Sequence, residues 1–277
     1  MSNDLIKSSA REIRALLKKK AVSSVELLEM LETRIANIDP IVNALPTLCF
    51  DRARQNIASR DYQDTALLGM PIAIKDLLPV AGVRTTWGSM LHEHHIPESS
   101  DLLVERLESS GAVVYAKSNT PEFGAGANTF NDVFGATRNP WNTALSCAGS
   151  SGGSAVALAT GMAWIASGSD LGGSLRNPAS FCGIVGFRPS IGRIPTTTGD
   201  MAFYRLSVEG PMARTVGDVG QSQRRRGALF GGCLTGGRTA DCKGQDLPRA
   251  DVGFVGQGRQ TSMGIDCAAP PGGVRPV

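Results

Sequence analysis

The sequence is short of histidine, of aromatic residues and of net charge. Three histidines occur in 277 residues, and His92, His94 and His95 all fall in one polar stretch, "HEHH". A Ser-His-Asp triad therefore has a single place to draw its base from. A formal net charge of +3 is too small for this length to argue for nucleic acid. No apolar run reaches the roughly 20 residues of a membrane span; the longest, 155–168, is short and rich in Ala and Gly. Six cysteines, Cys49, Cys147, Cys182, Cys233, Cys242 and Cys267, show neither metal-ligand spacing nor a compact disulfide framework. With no secretory signal at the start, reduced thiols and a cytoplasmic location are the expectation.

What is present is ordinary globular material: 42% hydrophobic and 19% charged residues, enough chain for one large α/β domain or two smaller ones. Ser23 and Glu26 form a capping box, S-x-x-E. Leu28, Leu31, Ile35 and Ile38 follow at helical spacing, and Pro40 is expected to stop that helix. A shorter helix is expected over about 10–20. "LLGMPIAIKDLL" holds a β-type run through Ile72, Ala73 and Ile74 that ends at Lys75. In "SSDLLVERLESSGAVVYAKSN", Ser100 or Asp101 caps a helix carrying Leu103, Val104 and Leu107. Gly111 ends it, and 112–116 is a buried strand. Helix followed by apolar strand is half of a βαβ unit, so the fold class is α/β with a mixed, largely parallel central sheet covered by helices. Turn signals make 121–141 loop-like.

The most informative stretch is "CAGSSGGSAVALATGMAWIASGSDLGGSLRNPASFCG", residues 147–183. Two clusters of small residues, "GSSGGS" and "SDLGGS", flank an almost uncharged segment. A helix of about two turns over 154–161 spans roughly 12 Å, and a strand near 164–167 returns about as far. The two clusters can thus become two walls of one site. Glycines let a backbone approach a ligand and turn its N–H groups inward, as an oxyanion hole requires. Ser174 closes "LGGS" and is placed as a nucleophile. Its base is either one of the clustered histidines or Lys75, whose position after an apolar run would desolvate the ammonium and lower its pKa. From spacing alone, cradling a phosphate is also open, although neither a P-loop nor a dinucleotide fingerprint is complete.

Taken together, "GSSGGSAVALATGMAWIASGSDLGGSLRNPASFCGIVGFRPSIGRIP", "GMPIAIKDLL", "AKSNTPEF", "FGATRNPW" and "GPMARTV", in this order over roughly 5–219, resemble the amidase signature family. The resemblance implies a Ser–Ser–Lys triad: Ser174 the nucleophile, Ser150 a bridging serine preceded by a cis peptide, Lys75 the base. It implies an oxyanion hole built from the N–H groups of Leu171, Gly172, Gly173 and Ser174, and hydrolysis of a carboxamide through an acyl-enzyme. No metal or organic cofactor is implied. The expected partner is a small-molecule amide, with no nucleic acid and no membrane; a homodimer is compatible. Around the triad, Arg176 either binds a substrate carboxylate or pairs with Asp170 to brace the loop. Ser151 and Ser154 line the pocket or cap a helix, and Ser169 steadies the oxyanion loop. Cys147 and Cys182 read as small buried residues.

The resemblance stops near Val219, whereas family members continue into an ordered second half. The domain division expected is therefore 1–219, the amidase signature part with its sheet incomplete towards the C-terminal half, and 220–277, a Gly/Arg-rich tail. That tail shows no period and too few apolar residues to order it. It reads as a frameshift after about Gly217–Gly220, with a natural divergent tail as the alternative. Basic and Gly-rich, it could suit RNA, but no interleaved aromatics support that. Three functions stand in order: an amidase, an inactive truncated remnant, and the glutaminase component of a tRNA-dependent amidotransferase, which would hand ammonia to a partner. "SNTPEF" and "LSCAGSSGG" resemble stand-alone amidases more.

Overall fold

The structure, a computed structural model, describes residues 2–194 and 206–221. It opens with helices α1 (Ser2–Lys7), α2 (Ala10–Lys18) and α3 (Ser24–Val42). Both longer helices begin at complete capping boxes, Ser9/Glu12 and Ser23/Glu26, in which each side chain satisfies a backbone donor of the other residue. Pro40 does not stop α3 as expected. It sits in the last turn, and the helix runs to Val42 before Asn43 turns left-handed at φ 52°. A proline removes one intrahelical donor, a loss the end of a helix tolerates. Termination comes instead from Asp39, whose carboxylate accepts the N–H groups of Ala44 and Leu45.

The two-residue strand β1 (Thr47–Leu48) and helix α4 (Phe50–Ser59) lead to β2 (Met70–Lys75). Helix α5 (Leu102–Ser109) starts at Asp101, which caps Leu103 N–H at 2.8 Å, and β3 (Ala112–Ser118) follows. A short hairpin, β4 (Phe130–Asn131) with β5 (Gly135–Ala136), interrupts the expected loop. Then come α6 (Gly152–Ala159), β6 (Ile165–Asp170), α7 (Arg176–Cys182), β7 (Val185–Gly186), β8 (Val208–Ala213) and α8 (Val216–Gln221).

Among the described residues, six strands form one sheet in the order β1-β3-β2-β6-β8-β7. Its centre, β3-β2-β6, is parallel, and the outer pairings are antiparallel. β2, β3 and β6 are buried along their whole length, as parallel strands covered on both faces must be. Helices α3, α4, α5 and α6 pack against them. The parallel strands finish on polar residues, Ser118, Lys75 and Asp170, so their carboxyl ends gather at one edge of the sheet. In open α/β sheets ligands bind at that edge. Residues 206–221, which showed only the motif "GPMARTV" in sequence, supply β8 and α8. Gly220 and Gln221 belong to α8; the remainder of the expected tail, 222–277, lies outside the described residues.

Candidate active site

Lys75 is the last residue of β2 and is wholly buried. Its Nζ lies 2.7 Å from Ser150 Oγ, 2.8 Å from Ser169 Oγ and 3.0 Å from Ser151 Oγ. As an ammonium it has three protons for three hydroxyls. As a free amine it has two, and one hydroxyl must turn round and donate to it. Burial pushes the amine down to about 7, against the charges of Glu209 and Asp170, which hold it up.

The hydroxyls around this amine come from the turn ahead of α6 and from β6. The Gly149–Ser150 peptide is cis, and α6 starts directly after Ser151. Ser151 stands at the N-cap position but makes no side-chain cap bond. Its hydroxyl is held by Lys75 and β6, accepting Ser169 N–H at 3.2 Å and donating to Ser169 C=O at 3.3 Å. Ser154 does not cap either: its hydroxyl donates to Ser167 C=O at 2.7 Å and meets Ser118 Oγ at 2.6 Å. The early donors of α6 go elsewhere, Gly152 N–H to Thr129 Oγ1 and Gly153 N–H to Asn119 C=O. Gly153 is glycine because a Cβ there would lie 2.3 Å from Asn119 N and 2.7 Å from Ala44 O. Ser167 accepts Lys75 N–H at 2.8 Å. Nothing in the sequence marked Ser167, Thr129 or Asn119, because their roles exist only across elements.

The second Gly/Ser cluster lies against the first. Ser174, half-buried, accepts Ser151 N–H on its carbonyl at 3.3 Å. No hydrogen bond joins Ser174 Oγ to Ser150 Oγ among the described residues. Leu171 and Gly172 are exposed, and Gly173 takes φ +116°, a backbone that suits glycine. Of the four N–H groups expected to receive an oxyanion, that of Gly173 already donates to Asp170 Oδ1 at 2.8 Å. Those of Leu171, Gly172 and Ser174 have no partner among the described residues.

Asp170 organises this loop. It accepts Gly173 and Leu175 N–H, Arg176 Nε at 2.9 Å and Nη2 at 3.1 Å, and Arg188 Nη1 at 3.0 Å. Arg188 also donates to the Asp170 carbonyl. Arg176 is thus a brace for the loop, with a second guanidinium that the sequence did not single out. Burial pushes the Asp170 carboxyl up, but the bonds from Arg176, Gly173 and Leu175 outweigh it and leave its pKa below the ordinary value. The three histidines sit elsewhere, His92 and His95 against Trp87. Cys147 and Cys182 are buried and free, and burial pushes the Cys147 thiol up to about 11.

A desolvated lysine surrounded by serine hydroxyls thus lies beside a glycine loop at the carboxyl edge of a mixed α/β sheet. A sequence model of the Amidase family matches residues 26–223, and the chain belongs to that family. It is 40% identical over 209 residues to a glutamyl-tRNA(Gln) amidotransferase subunit from Marinomonas sp. (strain MWYL1), covering 73% of this chain and 43% of that protein. The match to the same subunit from Roseiflexus sp. (strain RS-1) is 38% over 271 residues, covering 95% and 53%. The chain therefore spans about half the length of the curated relatives it matches. Among solved structures, a bacterial aryl acylamidase of the amidase signature enzymes superimposes with TM-score 0.72 at 33% identity, covering 78% of this chain and 46% of that one. No helix among the described residues is long and apolar enough to cross a membrane.

Proposed function

We propose that this chain carries the acyl-transfer chemistry of a carboxamide hydrolase. Ser174 Oγ attacks the amide carbon, its proton passes to Ser150, and the Ser150 proton passes to Lys75. The N–H groups of Leu171, Gly172 and Ser174 receive the oxyanion; Gly173 N–H joins them only if Asp170 releases it. Collapse of the tetrahedral species returns the proton from Lys75 through Ser150 to the leaving nitrogen. Ammonia or an amine departs, and water then hydrolyses the ester on Ser174. The observation that carries this reading is the 2.7 Å contact of a buried, desolvated Lys75 amine with Ser150. A lysine serves as a base only when held neutral near working pH.

For the amide we propose the side chain of glutamine, with the released ammonia passed to a partner protein. The relatives named as glutamyl-tRNA(Gln) amidotransferase subunits, at about 40% identity, support this over the stand-alone amidase that the motifs alone favoured. The aryl acylamidase likeness keeps an aryl or aliphatic amide as the second reading. The test has two parts. A fluorophosphonate probe should acylate the wild-type chain at Ser174, and Ser174→Ala should abolish the mass increment. Ammonia release from glutamine against aryl and aliphatic amides ranks the substrates, and Lys75→Ala should cost several orders of magnitude in rate. Labelling that persists in Ser174→Ala refutes the nucleophile.

A further inference from the structure

The lysine site has a neighbour that the triad does not use. Glu209 lies on β8, and the register pairs it directly with Ser169 of β6. Residues opposite each other in an antiparallel pair put their side chains on the same face, with Cβ atoms about 5 Å apart. Ser169 spends its hydroxyl on Lys75 Nζ at 2.8 Å, so Glu209 stands on the face that carries the lysine amine. Its Oε2 is buried and has no hydrogen-bond partner among the described residues. A carboxyl group is seldom buried in this way unless a charge nearby compensates it. The cation that acts on it is the Lys75 ammonium, yet the two form no direct ion pair among the described residues; the Nζ is surrounded by three hydroxyls.

We propose that Glu209 is a positioning residue for the base: its charge, one strand away behind Ser169, sets the fraction of Lys75 present as free amine. This rests on the reading of Lys75 as the base. An ionised Glu209 stabilises the ammonium and withholds the amine; a protonated one releases it. The two groups thus compete for a proton, with Lys75 wholly buried and Glu209 Oε2 out of reach of water. Their environments agree with this, since burial raises Glu209 to about 8 while Lys75 pulls it down, and burial lowers Lys75 while Glu209 holds it up.

The other charged groups nearby do not take over this role. Asp170, at the end of β6, also acts on Lys75, but its carboxylate is occupied by Arg176 and Arg188. Asp76, next to Lys75 on the chain, is engaged by Lys117 at 2.8 Å and by Thr86. Asp101, ahead of α5, acts on Glu209 from a distance and caps Leu103. The groups facing Lys75 from the turn ahead of α6 and from β6 are the hydroxyls of Ser150, Ser151 and Ser169, which carry no charge.

The experiment is a pH titration of the full 277-residue chain by NMR, with 13Cε-lysine and 13Cδ-glutamate labels, on wild type, Glu209→Gln and Glu209→Asp. Removing the carboxylate should lower the Lys75 midpoint by about one pH unit, the scale of one charge a few ångströms beyond contact in a partly shielded site. Glu209→Asp should keep the midpoint near wild type. A residue that only packs would change the melting temperature and leave the midpoint where it was; an unchanged midpoint in Glu209→Gln overturns the proposal. Should that variant not fold, the wild-type curves decide. Lys75 and Glu209 must each register the other's step, and two independent single-step curves overturn it equally. Fluorophosphonate labelling of Ser174 in the same samples separates the two readings. Coupled titration without labelling refutes the nucleophile alone, and labelling with uncoupled titration refutes the role of Glu209 alone.

Discussion

Asp170→Asn tests how the glycine loop is held. The substitution keeps shape and removes charge. Each carboxylate oxygen of Asp170 accepts at least two donors: Gly173 N–H, Arg176 Nη2 and Arg188 on Oδ1, Leu175 N–H and Arg176 Nε on Oδ2. An amide has one acceptor oxygen, so its NH2 must face donors whichever way it is turned. Hydrogen bonds to a charged group contribute about 1.5–3 kcal/mol each, and breaking one side of a buried pair costs about 3–5 kcal/mol. The guanidiniums recover part of this: the Arg176 and Arg188 side chains are 44% and 25% exposed and can turn to water. A net loss on the order of 2–4 kcal/mol is expected. Urea unfolding followed by circular dichroism measures it, as a lower midpoint at unchanged slope. The loss should also depend on pH. The folded pKa of Asp170 lies below its unfolded value, so its contribution is complete above the unfolded pKa near 4 and fades as pH falls through the folded one. The two proteins should therefore converge in acid. A variant within about 0.5 kcal/mol of wild type at pH 7 would refute the reasoning.

With Lys75 lowered to about 7 by burial, acylation at Ser174 should rise with pH through that region and then level off; a rate falling between pH 6 and 8 rules out a lysine base. Gly153→Ala has backbone atoms in its way at 2.3 and 2.7 Å. It should lose about 1–3 kcal/mol or more and weaken probe labelling, read by thermal melting and intact mass. Arg214→Met should cost about 1–3 kcal/mol, because the guanidinium serves the carbonyls of Ser8, Leu158 and Ala163. Hydrogen exchange should then rise in α2 and β8 before it rises in β2.

The helices at 10–18 and 24–42 and the strands at 70–75 and 112–118 were legible because their information is local: capping boxes, apolar spacing, an apolar run that ends on a polar residue. Pro40 misled for the opposite reason. The rule that a proline ends a helix is averaged over positions, and here the residue lies where the helix was ending anyway. Lys75, Ser150 and Ser174 could be named from motifs, and Ser169 from its place ahead of the glycines. Ser167, Arg188 and Glu209 could not. Each matters through a residue on another strand or loop, and pairing register is not written in a single strand's composition. The Gly173 N–H shows the same limit: a glycine run announces donors without saying which are already taken.

The antiparallel attachment of β8 has a consequence for the order in which the chain acquires structure. Lys75, the serines and the glycine loop are all synthesised before residue 208, yet the open flank of β6 and the Glu209 carboxyl arrive only with Val208–Ala213. Arg11 N–H reaches Asp218 at 2.9 Å, a separation of 207 positions, so α2 also waits for a late partner, here α8. Contacts this distant in sequence form slowly and leave edges exposed in the meantime. A nascent chain halted before residue 208 would hold Lys75, Ser150 and Ser174 and still present one side of β6 as an unpaired edge. Such a chain is one on which a chaperone would be expected to act, and release of that chaperone would mark the arrival of β8.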